Sequence, residues 1–499
     1  MRNILLVTVL ITFSCQNPTK KIQNQSQNPN VIIIYMDDLG YGDVSSYGKG
    51  KLKTPNIDKL ANEGLKFLKG YSSSATCTPS RYGLLTGTYP WRNPRAKIIT
   101  GGSLIIDTAQ MTLPKLLKIN GYKTGIVGKW HLGLGKDKIN YNTIISPGAN
   151  EIGFDYSYIL ADTQDRVPSV YIENGRVEDL DVNDPISVNF DKNDYDLPTG
   201  LKNPELTTMK WHHGHNGSIV NGIPRIGFMK GGNKAKWKDE DMADNFLNKA
   251  KEYINENKNN PFFLFYSLQQ PHVPRTPNPR FVGKSGMGPR GDAIIEADWC
   301  IGELYKTLEE NKLLENTLII FSSDNGPVLN DGYFDNAVEM LGEHTPSGGL
   351  RGGKYSLFEA GTRVPFIAYW KDKIKAGVSD QVISQIDLFN TVSKMIDSDF
   401  RTKDGKDLSN LILNNTGEGR NELVIEAMGR TAYRYKEWVM IPPYKGRKIA
   451  KNVQIELGNS SEYMLFDLER DPYQKDNLAK KNPEKLKFMI SNFDKIKKY

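Results

Sequence analysis

The sequence predicts an α/β fold: one large, mostly parallel sheet with helices on both faces. Three observations carry this prediction. Short apolar, β-branched or aromatic runs recur at Val31 to Met36, Thr124 to Val127, Phe262 to Leu268, Leu318 to Ser322 and Val364 to Trp370, which is the composition of buried strands. Segments with helical spacing lie between them, as the crossovers of parallel strands require. A chain of 499 residues is long enough to bury a large core in one α/β domain with a smaller companion.

Taken in order, the chain opens with an export pattern. Met1-Arg2-Asn3 is a short basic start, Ile4 to Phe13 is an apolar stretch too short to span a bilayer as a helix, and Ser14-Cys15 follows at once. The arrangement resembles a bacterial lipoprotein signal, with Cys15 as the lipidated residue and Thr12 where leucine usually stands. The expectation is an exported protein, periplasmic or on the outer-membrane surface of a bacterium, with a signal over residues 1–15 and a polar Gln/Asn/Lys-rich tether over 16–28. No later segment is long and apolar enough to cross a membrane, so contact with a membrane is expected only through that lipid anchor.

Helices follow from periodicity and capping. Thr54-Pro55 opens one in which Ile57, Leu60, Ala61 and Leu65 share a face, and Thr112 opens another ending at Gly121. Ala293 to Ile301 has helical spacing that makes Cys300 a buried structural thiol. A helix from about Asp387 to Ile396 turns Leu388, Val392 and Met395 toward the sheet. Beyond it the pattern changes: shorter strands at Leu423 to Ala427, Trp438 to Ile441 and Tyr463 to Leu468 precede a Lys-rich final helix. This divides the chain into a main domain over 29–397 and a C-terminal subdomain over 398–499.

Charge and cysteine usage narrow the function. The net charge of +7 is spread without a basic block, which argues against nucleic acid as a partner and suits an anionic substrate. Three cysteines in so long a chain are not a disulfide framework, although Cys77 and Cys300 could pair in an oxidising compartment. Cys77, in Thr76-Cys77-Thr78-Pro79-Ser80-Arg81, lacks the adjacent histidine or lysine that would lower a thiol pKa.

The residues at the strand exits carry the chemistry. Val31 to Met36 runs into Asp37-Asp38, Thr124 to Val127 into Gly128-Lys129-Trp130-His131, Phe262 to Leu268 into Gln270-Pro271-His272, and Leu318 to Ser322 into Asp324-Asn325. In a parallel sheet these exits share one edge, the edge where open α/β folds place ligands. Asp37, Asp38, Asp324 and Asn325 singly read as turn residues; together they are the oxygen-rich set that Ca²⁺ or Mg²⁺ prefers. His131 and His272, two of only six histidines, are acid/base candidates. His212, His213 and His215 fit a transition-metal site, a substrate-contacting loop or a plain surface loop, and His344 is equally open.

Cys77-Thr78-Pro79-Ser80-Arg81, followed by Leu84-Leu85-Thr86-Gly87, resembles the signature of type I sulfatases, in which a dedicated maturase oxidises the cysteine to formylglycine. Asn30 to Gly42, Gly128 to Gly133, Gln270 to Pro274, Ser323 to Gly326 and Leu350 to Lys354 match the family's other motifs in order, and Tyr463 to Ala479 is a family-like C-terminal segment. The resemblance implies an alkaline phosphatase-like fold whose C-terminal subdomain holds a small antiparallel sheet and a helix. It implies that Cys77 becomes an aldehyde hydrate at the positive end of a helix, that Arg81 fixes the hydrate, and that Asp37, Asp38, Asp324, Asn325 and the modified Cys77 hold Ca²⁺, with Mg²⁺ as the other option. Lys129 and Lys354 would bind sulfate oxygens, His272 would protonate the leaving sugar oxygen, and His131 would act as base in the second step.

For substrate the resemblance implies a sulfated glycan: a sulfated galactan such as a carrageenan, or a glycosaminoglycan with galactose-type sugars. Asp165, Arg166, His213, His215, His344 and Arg351 are the candidates for sugar contact, mostly in loops between core motifs. The rival readings are a phosphodiesterase or phosphonate hydrolase of the same superfamily, and a glycan-binding protein without turnover in which Cys77 stays unmodified.

Overall fold

The computed structural model describes residues 28–498; the expected signal, Cys15 and nearly all of the tether lie outside them. Ten strands form the main sheet: β1 (Asn30–Met36), β2 (Leu65–Tyr71), β3 (Lys123–Lys129), β4 (Tyr156–Leu160), β5 (Ile172–Glu173), β6 (Arg176–Val177), β7 (Phe262–Ser267), β8 (Thr317–Ser323), β9 (Phe366–Tyr369) and β10 (Gly377–Ser384). Their spatial order is β10-β2-β9-β8-β1-β7-β3-β4-β5-β6. The centre, β8-β1-β7-β3-β4, is parallel. Toward the edges the sheet is mixed: β9 runs antiparallel to β8 and β2, while β10 pairs parallel with β2. Every residue of β1 is buried, which is why that strand reads as a continuous apolar run with no alternation.

Alternate side chains of the sheet feed two cores. Val31, Ile33, Phe263 and Phe265 face the layer that contains α2 (Cys77–Thr86) and α3 (Leu113–Ile119), with Leu84, Leu85, Leu116 and Leu117 packed against them. Ile32, Ile34, Phe262 and Leu264 face the other layer, where α1 (Pro55–Glu63), α4 (Met242–Asn257) and α5 (Gly288–Glu310) lie. This period-two division is what a sheet buried on both faces imposes. The expected helix at Asp387 forms as α6 (Asp387–Met395), with Leu388 and Val392 in the first core.

One sequence expectation is corrected. Leu65 is buried, but it begins β2 and is not on the helix face with Ile57, Leu60 and Ala61, because α1 stops at Glu63 and Gly64 takes an extended conformation. With no turn segment after the helix, its apolar period ran on into the strand. The two cysteines of the described residues, Cys77 and Cys300, are both free and buried, so the disulfide option falls away. No helix among the described residues is long and apolar enough to cross a membrane.

A second sheet of β11 (Glu422–Ala427), β12 (Arg430–Tyr435), β13 (Trp438–Ile441) and β14 (Met464–Asp467) is antiparallel throughout. The final helix α7 (Pro483–Lys498) packs on it through Met489 and Phe493, the latter stacked on Tyr433 at 5.7 Å. Tyr71, Ala75, Leu357 and Phe358 of the main domain share this core, so the small sheet is bound to the segment that leads into α2.

Cys300 sits in α5 at 0 % exposure with its Sγ 3.9 Å from the Ala243 carbonyl. Cys300→Ala is expected to cost about 1–2 kcal/mol of stability, seen as a lower denaturant midpoint, with turnover unchanged. A loss of turnover in the folded variant would contradict a purely structural role.

Candidate active site

The parallel register brings the strand exits level. Met36 pairs with Ser323 and Tyr35 with Ser267, while Ser267 pairs with Gly128. Asp37, Asp38, Asp324, Asn325, Lys129 and His131 therefore emerge side by side, all buried. Two of them hold left-handed backbone, Asp38 at φ 63° and His131 at φ 54°. Such conformations cost roughly 1–3 kcal/mol and persist where surrounding structure enforces them, commonly at functional sites.

The acidic residues are cross-linked by cations. Lys129 Nζ lies 2.5 Å from Asp37 Oδ2. Arg81 donates to Asp324 Oδ2 through Nε at 3.1 Å and Nη2 at 2.8 Å, and to the Lys129 carbonyl at 3.1 Å. Lys354 donates to Asp38 Oδ2 at 2.9 Å and to Asp331 Oδ2 at 3.0 Å. Asn325 Nδ2 donates to Asp38 Oδ1 at 2.7 Å. Burial and the neighbouring Asp324 push the Asp37 carboxyl well above the usual range, with Lys129 pulling the other way.

The donor set fits a hard cation. One ligand atom from each of Asp37, Asp38, Asp324 and Cys77 lies within 4.8 Å of the others. Asp37 Oδ1 and Asn325 Oδ1 are buried without a hydrogen-bond partner among the described residues, which leaves two oxygens available to an ion. His272 also comes within reach, in groupings with Asp37 and Cys77 and with Asp38 and Asp331, but the clustered carboxylate and amide oxygens are the hard donors that suit Ca²⁺ or Mg²⁺.

Cys77 is the first residue of α2, 2 % exposed, after an extended Thr76. Burial pushes its thiol up to about 12 despite Lys129 and Lys354, so as a thiol it does not ionise at neutral pH. The segment before it is bolted to the small sheet. Ala75 N donates to the Glu426 carbonyl at 2.8 Å, Ser74 Oγ bonds the Glu426 carboxylate, and Tyr355 N donates to the Ala75 carbonyl at 2.8 Å.

The two histidines differ in setting. His272 bonds the Val273 carbonyl through Nδ1 at 2.8 Å, and its Nε2 lies 3.8 Å from Asp38 Oδ2. His131 bonds the Ile99 carbonyl through Nε2 at 3.0 Å, while its Nδ1 is buried without a partner among the described residues. Burial, reinforced by nearby cations, holds both well below the usual histidine pKa.

Beside this cluster the loop residues assort. His215 Nε2 bonds Asp165 Oδ2 at 2.6 Å and Arg166 pairs with Asp165 at 3.2 Å. Burial would raise the Asp165 carboxyl, but Arg166 and His215 hold it well below its usual range. His213 is part-exposed and packs edge-on to the His215 ring at 6.2 Å. The other two sugar-contact candidates have structural partners. His344 bonds Asp43, which also pairs with Arg290, and Arg351 is engaged by Glu456 and the Gln474 carbonyl of the C-terminal subdomain. Sequence reasoning missed Asp331, which shares Lys354, and Glu426. Asp331 follows the Asp324-Asn325 motif on an irregular loop, and Glu426 lies in an ordinary strand pattern, so neither carried a signal.

Residues 29–398 match the family model described as sulfatase. The chain is 47 % identical over 500 residues to an N-acetylgalactosamine-6-O-sulfatase of Bacteroides thetaiotaomicron, spanning 99 % of this chain and 98 % of that protein. It is 31 % identical over 407 residues to human arylsulfatase A, covering 79 % of this chain and 70 % of that one. A solved Bacteroides thetaiotaomicron structure, described with the metabolism of multiple glycosaminoglycans, matches at a TM-score of 0.93 and 48 % identity over 95 % of this chain and 100 % of its own. The main sheet with its small C-terminal partner is thus the alkaline phosphatase-like fold of these relatives. The phosphodiesterase and non-catalytic readings are not favoured: the chain belongs to the sulfatase family and is a sulfuric ester hydrolase.

Proposed function

We propose that the protein removes 6-sulfate groups from N-acetylgalactosamine residues of a sulfated glycan, with Cys77 oxidised to formylglycine and Ca²⁺ held by Asp37, Asp38, Asp324 and Asn325. The observation that carries this reading is the convergence of an inert thiol at a helix start with the Asp37 Oδ1 and Asn325 Oδ1 oxygens, which have no hydrogen-bond partner among the described residues, and two buried lysines. The sugar is taken from the relative of 47 % identity, whose name specifies that sulfate. It falls within the galactose-type class that the sequence suggested.

When present, formylglycine supplies a hydroxyl nucleophile and Ca²⁺ polarises a sulfate oxygen. The chain's own residues do the rest. Lys129 and Lys354 offer Nζ groups to sulfate and offset the charge that develops on its oxygens. Arg81 and the Glu426-anchored segment keep residue 77 in place at the start of α2. His272 donates a proton to the departing sugar oxygen, and His131, neutral because of its burial, accepts one in the second step. Asp165, Arg166, His215 and His213 face the sugar, and His344 and Arg351 act in the fold. Export, the Cys15 anchor and the maturase belong to the same proposal.

Cys77→Ala is expected to abolish sulfate release from a 6-sulfated N-acetylgalactosamine oligosaccharide while the protein still folds; more than a trace of activity would refute the assignment. In that inactive variant, Ca²⁺ at about 100 times its Kd should raise stability by about 2.7 kcal/mol, measured by thermal unfolding, and Asp324→Ala should remove the response.

Asp331→Asn should keep the fold but lower kcat/KM roughly 10–100-fold, the scale of a charged hydrogen bond, because Lys354 keeps an acceptor there but loses the carboxylate charge of one of its two partners. An unchanged kcat/KM would take Asp331 out of the site.

His272→Ala should hurt a sugar sulfate far more than an activated aryl sulfate, whose phenolate needs little protonation. His131→Ala should release the first alcohol and then turn over slowly with either substrate. Equal losses on both substrates for both variants, measured in single-turnover experiments, would overturn this division of roles.

A further inference from the structure

We infer that Asp162 is a positioning residue for the base: through the loop Ile99–Gly101 it holds His131 in the tautomer that keeps its proton on Nε2 and leaves Nδ1 as the free acceptor. The inference rests on the reading of His131 given above.

The tautomer follows from the partner. A carbonyl oxygen only accepts, so the 3.0 Å contact between His131 Nε2 and the Ile99 carbonyl requires the proton on Nε2. The other nitrogen, Nδ1, is then a lone pair, and it is buried with no partner among the described residues. A base needs that arrangement, and the opposite tautomer would offer a hydrogen where an acceptor is required.

The Ile99 carbonyl belongs to a loop without regular structure. Two residues on, Gly101 N donates to Asp162 Oδ2 at 2.7 Å. Asp162 is 5 % exposed and follows directly on Ala161, whose carbonyl accepts from the His131 backbone N at 3.1 Å. One dipeptide therefore grips His131 twice, by its backbone and through the loop that carries its ring partner. Gly101 has φ +61°, and a Cβ there would lie 1.8 Å from the Phe190 ring, so the loop sits against Phe190 in a conformation suited to glycine. Its far end is fixed to the irregular segment that follows His131: Ile105 N donates to the Leu132 carbonyl and Leu104 N to the Gly135 carbonyl, each at 3.0 Å. Between that end and Ile99, Leu134 N donates to the Gly102 carbonyl at 3.0 Å, and one residue closer to Ile99 Gly101 is held by the Asp162 carboxylate. Without that carboxylate the Ile99 carbonyl shifts and the imidazole no longer has a fixed side for its proton.

Two measurements on the full chain test this. Ring ¹⁵N shifts of His131, recorded in a Cys77→Ala background so that no turnover or modification is involved, should report the Nε2–H tautomer. Asp162→Ala should convert this signal to a mixed-tautomer one, and Asp162→Asn, which still offers Gly101 an oxygen, should largely restore it. In the mature enzyme with 4-nitrophenyl sulfate, Asp162→Ala should give a full-amplitude first release of 4-nitrophenolate followed by turnover about tenfold slower, a fraction of the 10²–10⁴ a general base contributes. An unchanged His131 tautomer in Asp162→Ala overturns the inference, as does a proportional loss of first-release amplitude and later turnover, the mark of fewer folded molecules. If His131→Ala itself shows no rapid first release, the assigned role of His131 fails instead, and the ¹⁵N spectra still decide whether Asp162 fixes the ring.

Discussion

Asp37, Asp38 and Asp324 are wholly buried, with ligand atoms close enough to share one ion, and the compensation of that charge organises the rest of the structure. Buried carboxylates so close together are stable only when cations and hydrogen bonds reach them. The cations come from three separate places: Lys129 from the end of β3, Arg81 from α2, and Lys354 from a loop far along the chain. Only a sheet with parallel central strands in this register delivers the two acidic motifs and the lysine of β3 to one edge. Asp331 adds a fourth carboxylate to the group, so if all were ionised, four negative groups would face three positive ones. A bound divalent cation would turn this small negative excess into a small positive one, which suits a sulfate ester.

The same cluster explains why Cys77 is there. A thiol used as a nucleophile would need a neighbourhood that favours thiolate, yet burial here outweighs two lysines and keeps the group protonated. A protonated thiol here fits the proposed conversion of residue 77 to a group that reacts through oxygen. The C-terminal subdomain contributes as well, because Glu426 in β11 grips Ser74 and Ala75 just ahead of the helix. The small sheet thus braces the chemistry without supplying a group to it.

The legible parts of the sequence were those governed by short-range rules. Central strands such as β1 and β8 are uninterrupted apolar runs because both faces are covered, and the turn motifs that come after them announce the site. β2 was not legible, since Leu65-Lys66-Phe67 follows α1 with only Gly64 between. Nor was β10, whose Ser379-Asp380-Gln381 interrupts the apolar pattern at a register shift. Among site residues, Asp37, Asp38, Asp324 and both histidines stand just after strands and Lys129 ends one, and they are legible for that reason. Asp331, Asp162 and Glu426 are not, because each acts through a partner more than twenty residues away, and spacing along a chain carries no record of such a contact. His344 and Arg351 read as polar loop residues; their ion pairs with Asp43 and Glu456 exist only in three dimensions.

The two histidines are depressed in pKa for related reasons, and the difference between them bears on which donates and which accepts. Burial comes first for each, and Lys129 lowers both. After that the surroundings diverge: the remaining charges acting on His131 are Arg166 and Arg81, whereas His272 faces Lys354 on one side and the carboxylates of Asp165 and Asp331 on the other. A sulfate ester bound to the lysines would offset their charge. His272 would then be left with two acidic neighbours that favour its protonated form, while His131 would still face arginines that disfavour it. Environments that push two similar groups apart in this way separate an acid from a base. On the proposed mechanism, Asp165 would also favour a proton on His272 once substrate has arrived.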